Sequence, residues 1–355
     1  MSRSGKWLLI FGIIAIVSAV AFGFTVAAFG VTDGNYNINI PGTGIKVIDG
    51  ISIGGIPMGN AEILFREGQT NVRYDFEQYK EYTGSFDAAD FTDIKLSLAS
   101  CKANVICTDT DKVDIVYKTG SRAVNFTAEL NNGVLALEEK MNVGWSLFGS
   151  AKSSELTLTI PETLYNSLDI NLASGKVYSQ KIKADDFRAN VASGSVELGI
   201  AAEDIDINIA SGSTLLTNCG EDKADKITIQ VASGKVELNG YGAEKTAANI
   251  ASGSVLLNGI SGKVNGELAS GKLTMVYSEW NDDLDIQLLS GTADVTLPAG
   301  SGANASLKRL SGSMSIDLDG NSQKLNSTIS GVTVGGSNVH NINGDVASGS
   351  IRIHN

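Results

Sequence analysis

Three pairs of carboxylates have the spacing for acid–base work: Asp204 and Asp206, Asp283 and Asp285, Asp317 and Asp319. Residues two apart on an extended strand leave from one face, about 7 Å from each other, inside the range that inverting glycosidases use. Each pair sits beside a turn or on a polar face, where solvation accounts for it without catalysis. "DLDGN" at 317–321 also offers the oxygen ligands that calcium takes. It lacks the Gly-Gly-x-Gly-x-Asp repeat of calcium-binding rolls, so it reads as an Asp-Gly turn. The two histidines, His340 and His354, lie together near the C-terminus. They cannot build a Cys/His zinc set at useful spacing and place a Ser-His-Asp triad poorly. No phosphate-cradling glycine loop leads into a helix. The sequence therefore predicts no enzyme, no catalytic residue, no cofactor and no metal site.

Cys101, Cys107 and Cys219 make a poor disulfide framework. A continuous strand would put the first two on one face about 20 Å apart, far beyond bridging distance. They read as buried, unpaired thiols. Aromatic residues on loops are better candidates for contact with sugars or lipids. Trp145 in "NVGWSLFGS", and Tyr277 with Trp280 in "MVYSEWNDD", form the predicted contact surface.

What must position these residues is a repeat. "DINLASGKV" at 169–177 returns as "RANVASGSV", "DINIASGST" and "TIQVASGKV". The serines of the recurrent Ser-Gly pair are Ser174, Ser193, Ser211, Ser233, Ser252, Ser270, Ser290, Ser311, Ser330 and Ser348, 18 to 22 residues apart. An extra pair at Ser261 falls in a turn between two of them. Before each serine apolar residues alternate, as in Ile205, Ile207 and Ile209; after it they alternate again, as in Val236 and Leu238. Period two marks half-buried strands. A repeat near 19 residues is too short for a helical hairpin and fits one rung of a β-solenoid.

The two alternations are out of phase, because the apolar residues two before and three after each serine are five apart. A corner at Ser-Gly returns both to the same interior, and glycine permits such a bend at low steric cost. The serines then form a structural corner ladder. Two residues on runs a second polar column: Lys176, Ser195, Ser213, Lys235, Ser254, Lys272, Thr292, Ser313 and Ser350, broken only by Val332. Asp169, Arg188 and Asp206 stack with alternating charge. Ten rungs spaced like neighbouring strands make a rod roughly 45 Å long. Residues 91–161 read as degenerate turns of the same kind.

Ahead of the rod, residues 7–29 are uncharged and long enough to span a bilayer. Arg3 and Lys6 precede them, which predicts a cytoplasmic N-terminus at 1–6 and an extracytoplasmic remainder. A cleaved signal peptide would have a shorter apolar core and a clearer small-x-small site, so the stretch reads as an uncleaved single-pass anchor. Residues 30–84 read as a stalk with first strands, and 85–355 as the repeat domain. The net charge of −12 argues against nucleic acid, which needs clustered Lys and Arg.

The pattern "ELTLTIPE…LDINLASGKV", followed by Ser-Gly rungs to the C-terminus, resembles the bacterial putative-adhesin family of unknown function, which includes LiaG-like cell-envelope proteins. The resemblance covers about residues 85–355 and offers no catalytic residues to carry over. It implies a bacterial surface or envelope-stress setting. The functional reading is a membrane-anchored, non-enzymatic protein of adhesion or envelope-stress sensing. Its expected partners are cell-wall material, envelope-active peptides or a membrane sensor protein. Two alternatives differ in class. One is head-to-tail self-association through a rod end at "SGSIRIHN" that no later segment covers. The other is polysaccharide hydrolysis by the paired aspartates.

Overall fold

The computed structural model describes residues 52–53, 56–57, 63–66, 71–74, 80–120, 124–141, 154–324 and 328–355. The predicted membrane span at 7–29 and Trp145 lie outside them. Among the described residues no helix is long and apolar enough to cross a membrane, and the helix present is a short 3-10 turn at Ala88–Asp90. The rest is strand and turn.

The alternating segments stack in parallel, one rung on the next. Before the corner, Ile170 faces Ala189, Ala189 faces Ile207 and Ile207 faces Ile229. After it, Val177, Val196, Thr214, Val236 and Val255 follow one another in register. These inward residues are essentially inaccessible to solvent, and full burial of an aliphatic side chain is worth about 1.5–3 kcal/mol. A short third side, with 182–184 stacked on 200–202, is reached through a register shift between Ser179 and Ile182. Ser261 belongs to the strand Ser254–Leu268 and is buried, not in a turn.

Rung order departs from chain order at both ends. The last rung, Asn338–Val346 and Ser350–His354, does not end the stack. It is inserted between the strands Leu284–Leu288 and Thr292–Thr296 on one side and Ser301–Arg309 and Ser313–Leu318 on the other. The outermost parallel rung, the one at Ser311, is overlaid antiparallel by Ile329–Gly335 and Asn321–Lys324. Ser330 therefore lies in an antiparallel covering strand and not in the corner ladder, and Val332 leaves the second column with it. The expected uncovered end at "SGSIRIHN" is absent because that segment is interior.

The other end mirrors this. The rung Asp93–Leu98 and Lys102–Thr108 sits between the segments 167–172 and 176–179 and the strands Val134–Met141 and Glu155–Pro161. Antiparallel Val124–Asn131 and Lys112–Thr119 cover the latter pair. Two-residue hairpins turn the chain at each end. Asn132 and Gly133 have φ of 51 and 79, Asp319 and Gly320 of 49 and 74. Left-handed values at both positions define the type I′ turn that Asn-Gly and Asp-Gly favour. "DLDGN" is thus a hairpin turn.

Candidate ligand groove

The corners from Ser193 to Ser348 are built by the same four bonds. In the rung at Ser211, Ala210 N–H donates to the carbonyl of Val191, Ser211 N–H to Ala192 and Ser213 N–H to Gly194 (2.9, 2.8 and 2.9 Å), while Gly212 O accepts from Lys235 N–H at 3.0 Å. The same pattern recurs from rung to rung. The peptide unit joining Ser to Gly is skipped by this ladder. The corner glycine is required for a reason other than the expected bend. At Gly194, Gly212, Gly234, Gly253, Gly271, Gly291 and Gly349 φ is not left-handed, but an added Cβ would come closer than 3.0 Å to the carbonyl of the glycine one rung away. The constraint is close approach of successive rungs. Gly312, at the stack's last corner, has in addition a φ of +88.

Ser174, Ser193, Ser211, Ser233, Ser252, Ser270, Ser290, Ser348 and Ser311 are exposed along this edge, in the order of the stack. The hydroxyls of Ser193 and Ser211 reach back to the carbonyls of Ala173 and Ala192 at 3.3 and 3.2 Å. The second polar column runs beside them in unbroken register: Lys102, Lys176, Ser195, Ser213, Lys235, Ser254, Lys272, Thr292, Ser350, Ser313. Between serines and column lies an open groove. Its two stretches hold about 510 and 630 Å³ and share Ser211 and Gly212. Every residue lining it is Ser, Thr, Gly or Lys. Lys176 pairs with Glu197 (2.6 Å) and Lys235 with Glu237 (2.9 Å), the lysines exposed and the glutamates half-buried.

Lys102 joins the column although no Ser-Gly precedes it. Its corner is "SCK", where the Cys101 carbonyl takes the glycine's place and accepts from Lys176 N–H at 3.0 Å. A second ladder escaped the sequence reading. Three residues before the corner serine, Asn190 Nδ2 donates to Asn171 Oδ1 (2.9 Å) and Asn208 Nδ2 to Asn190 Oδ1 (3.1 Å). The signal was present as a polar residue at that position in "DINLAS", "RANVAS" and "DINIAS".

The remaining candidates are engaged in holding the stack. Tyr277 and Trp280 are buried, so they form no contact surface. Trp280 packs edge-on against Tyr277 and His340 and donates its indole N–H to Gly302 O at 2.9 Å. The inserted last rung covers them. Asp283 accepts from the N–H and Nδ2 of Asn341 (2.8 and 3.1 Å) and Asp285 from Asn343 Nδ2 (2.8 Å). Desolvation works to raise the Asp283 carboxyl, but the Asn341 bonds, with Lys263 and His340, outweigh it and hold the group below its ordinary value. Arg188 bridges Asp169 and Asp206 at 3.2 and 3.8 Å, as the alternating charges predict. Asp319 accepts from Gly300 N–H and Asn355 Nδ2, and His354 lies 3.3 Å from Asp294. Among the described residues no His, Cys, Asp and Glu group could hold a metal ion.

The three cysteines are unpaired. Cys101 is buried, and desolvation followed by the Glu139 carboxylate drives its thiol far up. Burial, with Glu162 next, pushes Cys107 up to about 12. Neither is a nucleophile near neutral pH.

No curated protein matches the chain significantly. Among solved structures it is similar to a "putative lipid binding protein" from Parabacteroides distasonis ATCC 8503, with 15% identity, 82% of this chain and 99% of that one covered, and a TM-score of 0.49. A "putative adhesin" from the same organism has 12% identity, 82% and 100% coverage and a TM-score of 0.46. One from Parabacteroides merdae ATCC 43184 has 13%, 82%, 99% and 0.41. The family model described as Toastrack DUF4097 matches residues 91–354, the whole stack from its first rung to its last, and the chain belongs to that family.

Proposed function

We propose that this is a non-enzymatic, membrane-anchored extracytoplasmic protein, with the groove beside the Ser-Gly corners as its binding surface for an extended ligand of the cell envelope. One observation carries the reading. The groove is continuous over successive rungs and offers a repeating set of hydroxyls and ammonium groups, a surface that suits a long repetitive polymer better than a compact molecule. The paired aspartates support a binder over a hydrolase, since Asp206, Asp283, Asp285 and Asp319 are held in ion pairs or hydrogen bonds within the stack. The uncharged stretch at 7–29 supports anchoring, with the rod outside.

The test is co-sedimentation of the full chain, held in zwitterionic lipid nanodiscs, with purified bacterial cell-wall material. Binding is expected for the wild type and is expected to fall at least tenfold for the double variant Ser211→Trp, Ser233→Trp, which fills the groove from two exposed positions. Absence of binding by the wild type, or binding that the bulky variant leaves unchanged, rejects the groove as the contact surface.

A further inference from the structure

We infer that the ligand of this groove is a linear polyanion, an acidic glycan or polyol polymer, gripped lengthwise by the lysine column; the inference rests on the groove being the binding surface. The chain carries 39 acidic residues against 27 basic ones. Yet the groove is lined by Lys102, Lys176, Lys235 and Lys272 and by no carboxylate at all. The absence of acid from this lining is the opposite of what composition alone would distribute there, and the nearest carboxylate in the column's register, Glu155, stands beyond Lys102 at its end. Glu197 and Glu237 offset Lys176 and Lys235 in the free protein, so the uncompensated local charge is that of Lys102 and Lys272, and carboxylates beyond about 8 Å screen little of it at physiological ionic strength.

Register fixes the spacing of the cations. Lys102 and Lys176 are on adjacent rungs, Lys235 follows three rungs on and Lys272 two rungs after that. At about 4.8 Å per rung the four ammonium stems start within roughly 29 Å, in one line. The intervening rungs present Ser195, Ser213 and Ser254. A flexible chain with an anionic group in each unit meets a cation every one to three rungs and hydroxyls between them. Lys102 and Lys272 make no ion pair among the described residues. The partners of Lys176 and Lys235 are half-buried glutamates at the surface, and ion pairs open to solvent are weak enough to yield to a ligand. The groove lining contains no aromatic side chain. Single-stranded nucleic acid is held by base stacking on aromatics as well as by charge, so a glycan or polyol chain fits this surface better.

The test titrates the full chain in zwitterionic nanodiscs with four probes: poly(glycerol phosphate), polygalacturonate, neutral dextran and a single-stranded oligothymidylate. The two acidic polymers, one phosphate and one carboxylate, are expected to bind and dextran not to. Neutralising four cations implies a slope of about −3 in log affinity against log salt, a loss of roughly 50-fold between 50 and 200 mM. Lys102→Gln with Lys272→Gln is expected to halve that slope, and Lys102→Arg with Lys272→Arg to retain it. Dextran binding that equals acidic binding, with no effect of the glutamine variants, overturns the charge assignment while leaving the groove as the binding surface. Oligothymidylate binding as tight as that of the acidic polymers overturns the choice of polymer. No binding of any probe or of cell-wall material rejects this inference and the reading beneath it together.

Discussion

Replacing Gly234 by Ala separates two explanations of the corner. If glycine is there to permit a bend, alanine is acceptable, because φ at Gly234 lies outside the left-handed region. The substitution would then be neutral or stabilising by about 0.4–1 kcal/mol through a less flexible unfolded chain. The structure argues for the opposite sign. A Cβ at 234 would come closer than 3.0 Å to Gly212 O and to Ile209 Cγ2. The carbonyl cannot swing away freely, since it accepts from Lys235 N–H at 3.0 Å. Ile209, buried in the core, cannot retreat either. Overpacking costs about 1–3 kcal/mol and a weakened ladder bond about 1 more, so Gly234→Ala should destabilise by roughly 2–4 kcal/mol. With a urea slope near 3 kcal/mol/M, the midpoint falls by about 1 M. Urea titration of wild type and variant, followed by β-sheet circular dichroism, measures it. A midpoint unchanged or raised refutes the close-approach argument.

Glu139 is buried and accepts from Tyr117 OH at 2.8 Å and Ser100 N–H at 2.7 Å. Glu139→Leu strands both donors and should cost about 2–5 kcal/mol, against about 1 for Tyr117→Phe, by the same titration. Asn190→Ala deletes both amide bonds of its ladder and is expected to lose about 1–2 kcal/mol, whereas Gln230→Ala, one rung beyond the ladder, should stay within about 0.5; equal losses would show the amides to be incidental. The Asp283 carboxyl is held below its ordinary 3.8 in the folded chain. Its contribution is therefore complete above that value and disappears as pH falls through the lower, folded one. The protection factors of amides across 338–346, which divide out the intrinsic slowing of exchange in acid, should fall at pH 3 relative to pH 6, and Asp283→Ala should flatten that response.

Strands and corners were legible because both rest on local chemistry. Alternation along Ile227, Ile229 and Val231 states which face is buried, and the offset between the two alternations locates the corner. The order of rungs was not legible. The segment 338–354 presents the same apolar face and corner as its neighbours, so nothing within it says that it enters between 284–296 and 301–318. That choice is made by pairs distant in sequence, such as Asp283 with Asn341 and Asp285 with Asn343. The same blindness misplaced Tyr277 and Trp280. They occupy a loop by local pattern, and only the inserted rung, with Asn338 Nδ2 on the carbonyl of Trp280, buries them. The groove was half visible. Its serine and lysine columns could be read from spacing, and "LSLASCKANV" shows Ser100 in the corner position with Cys101 for glycine, but Lys102 was not followed into the column because its rung is placed there by pairing distant in sequence.

The out-of-order rungs answer a difficulty inherent in a parallel stack. Each rung satisfies the backbone of its neighbours, so a stack built strictly in chain order ends in a row of unpaired groups and an open core, an invitation to edge-to-edge aggregation. Here the chain reverses direction at Asn132–Gly133 and Asp319–Gly320 and lays antiparallel strands over both outermost rungs. The reversal forces the segments that follow or precede it to find places further in. Hence the segment 338–354 is clasped between the two rungs of 284–318, and 93–108 is clasped likewise. A clasped rung cannot fray alone, because removing it breaks two interfaces and not one. Local repetition supplies the rungs, and the clasp makes their number finite. The corner edge remains straight across the clasp, since Ser290, Ser348 and Ser311 succeed one another there as regularly as the serines that are consecutive in sequence. The hydroxyl edge that borders the groove thus keeps its register whatever path the chain takes beneath it.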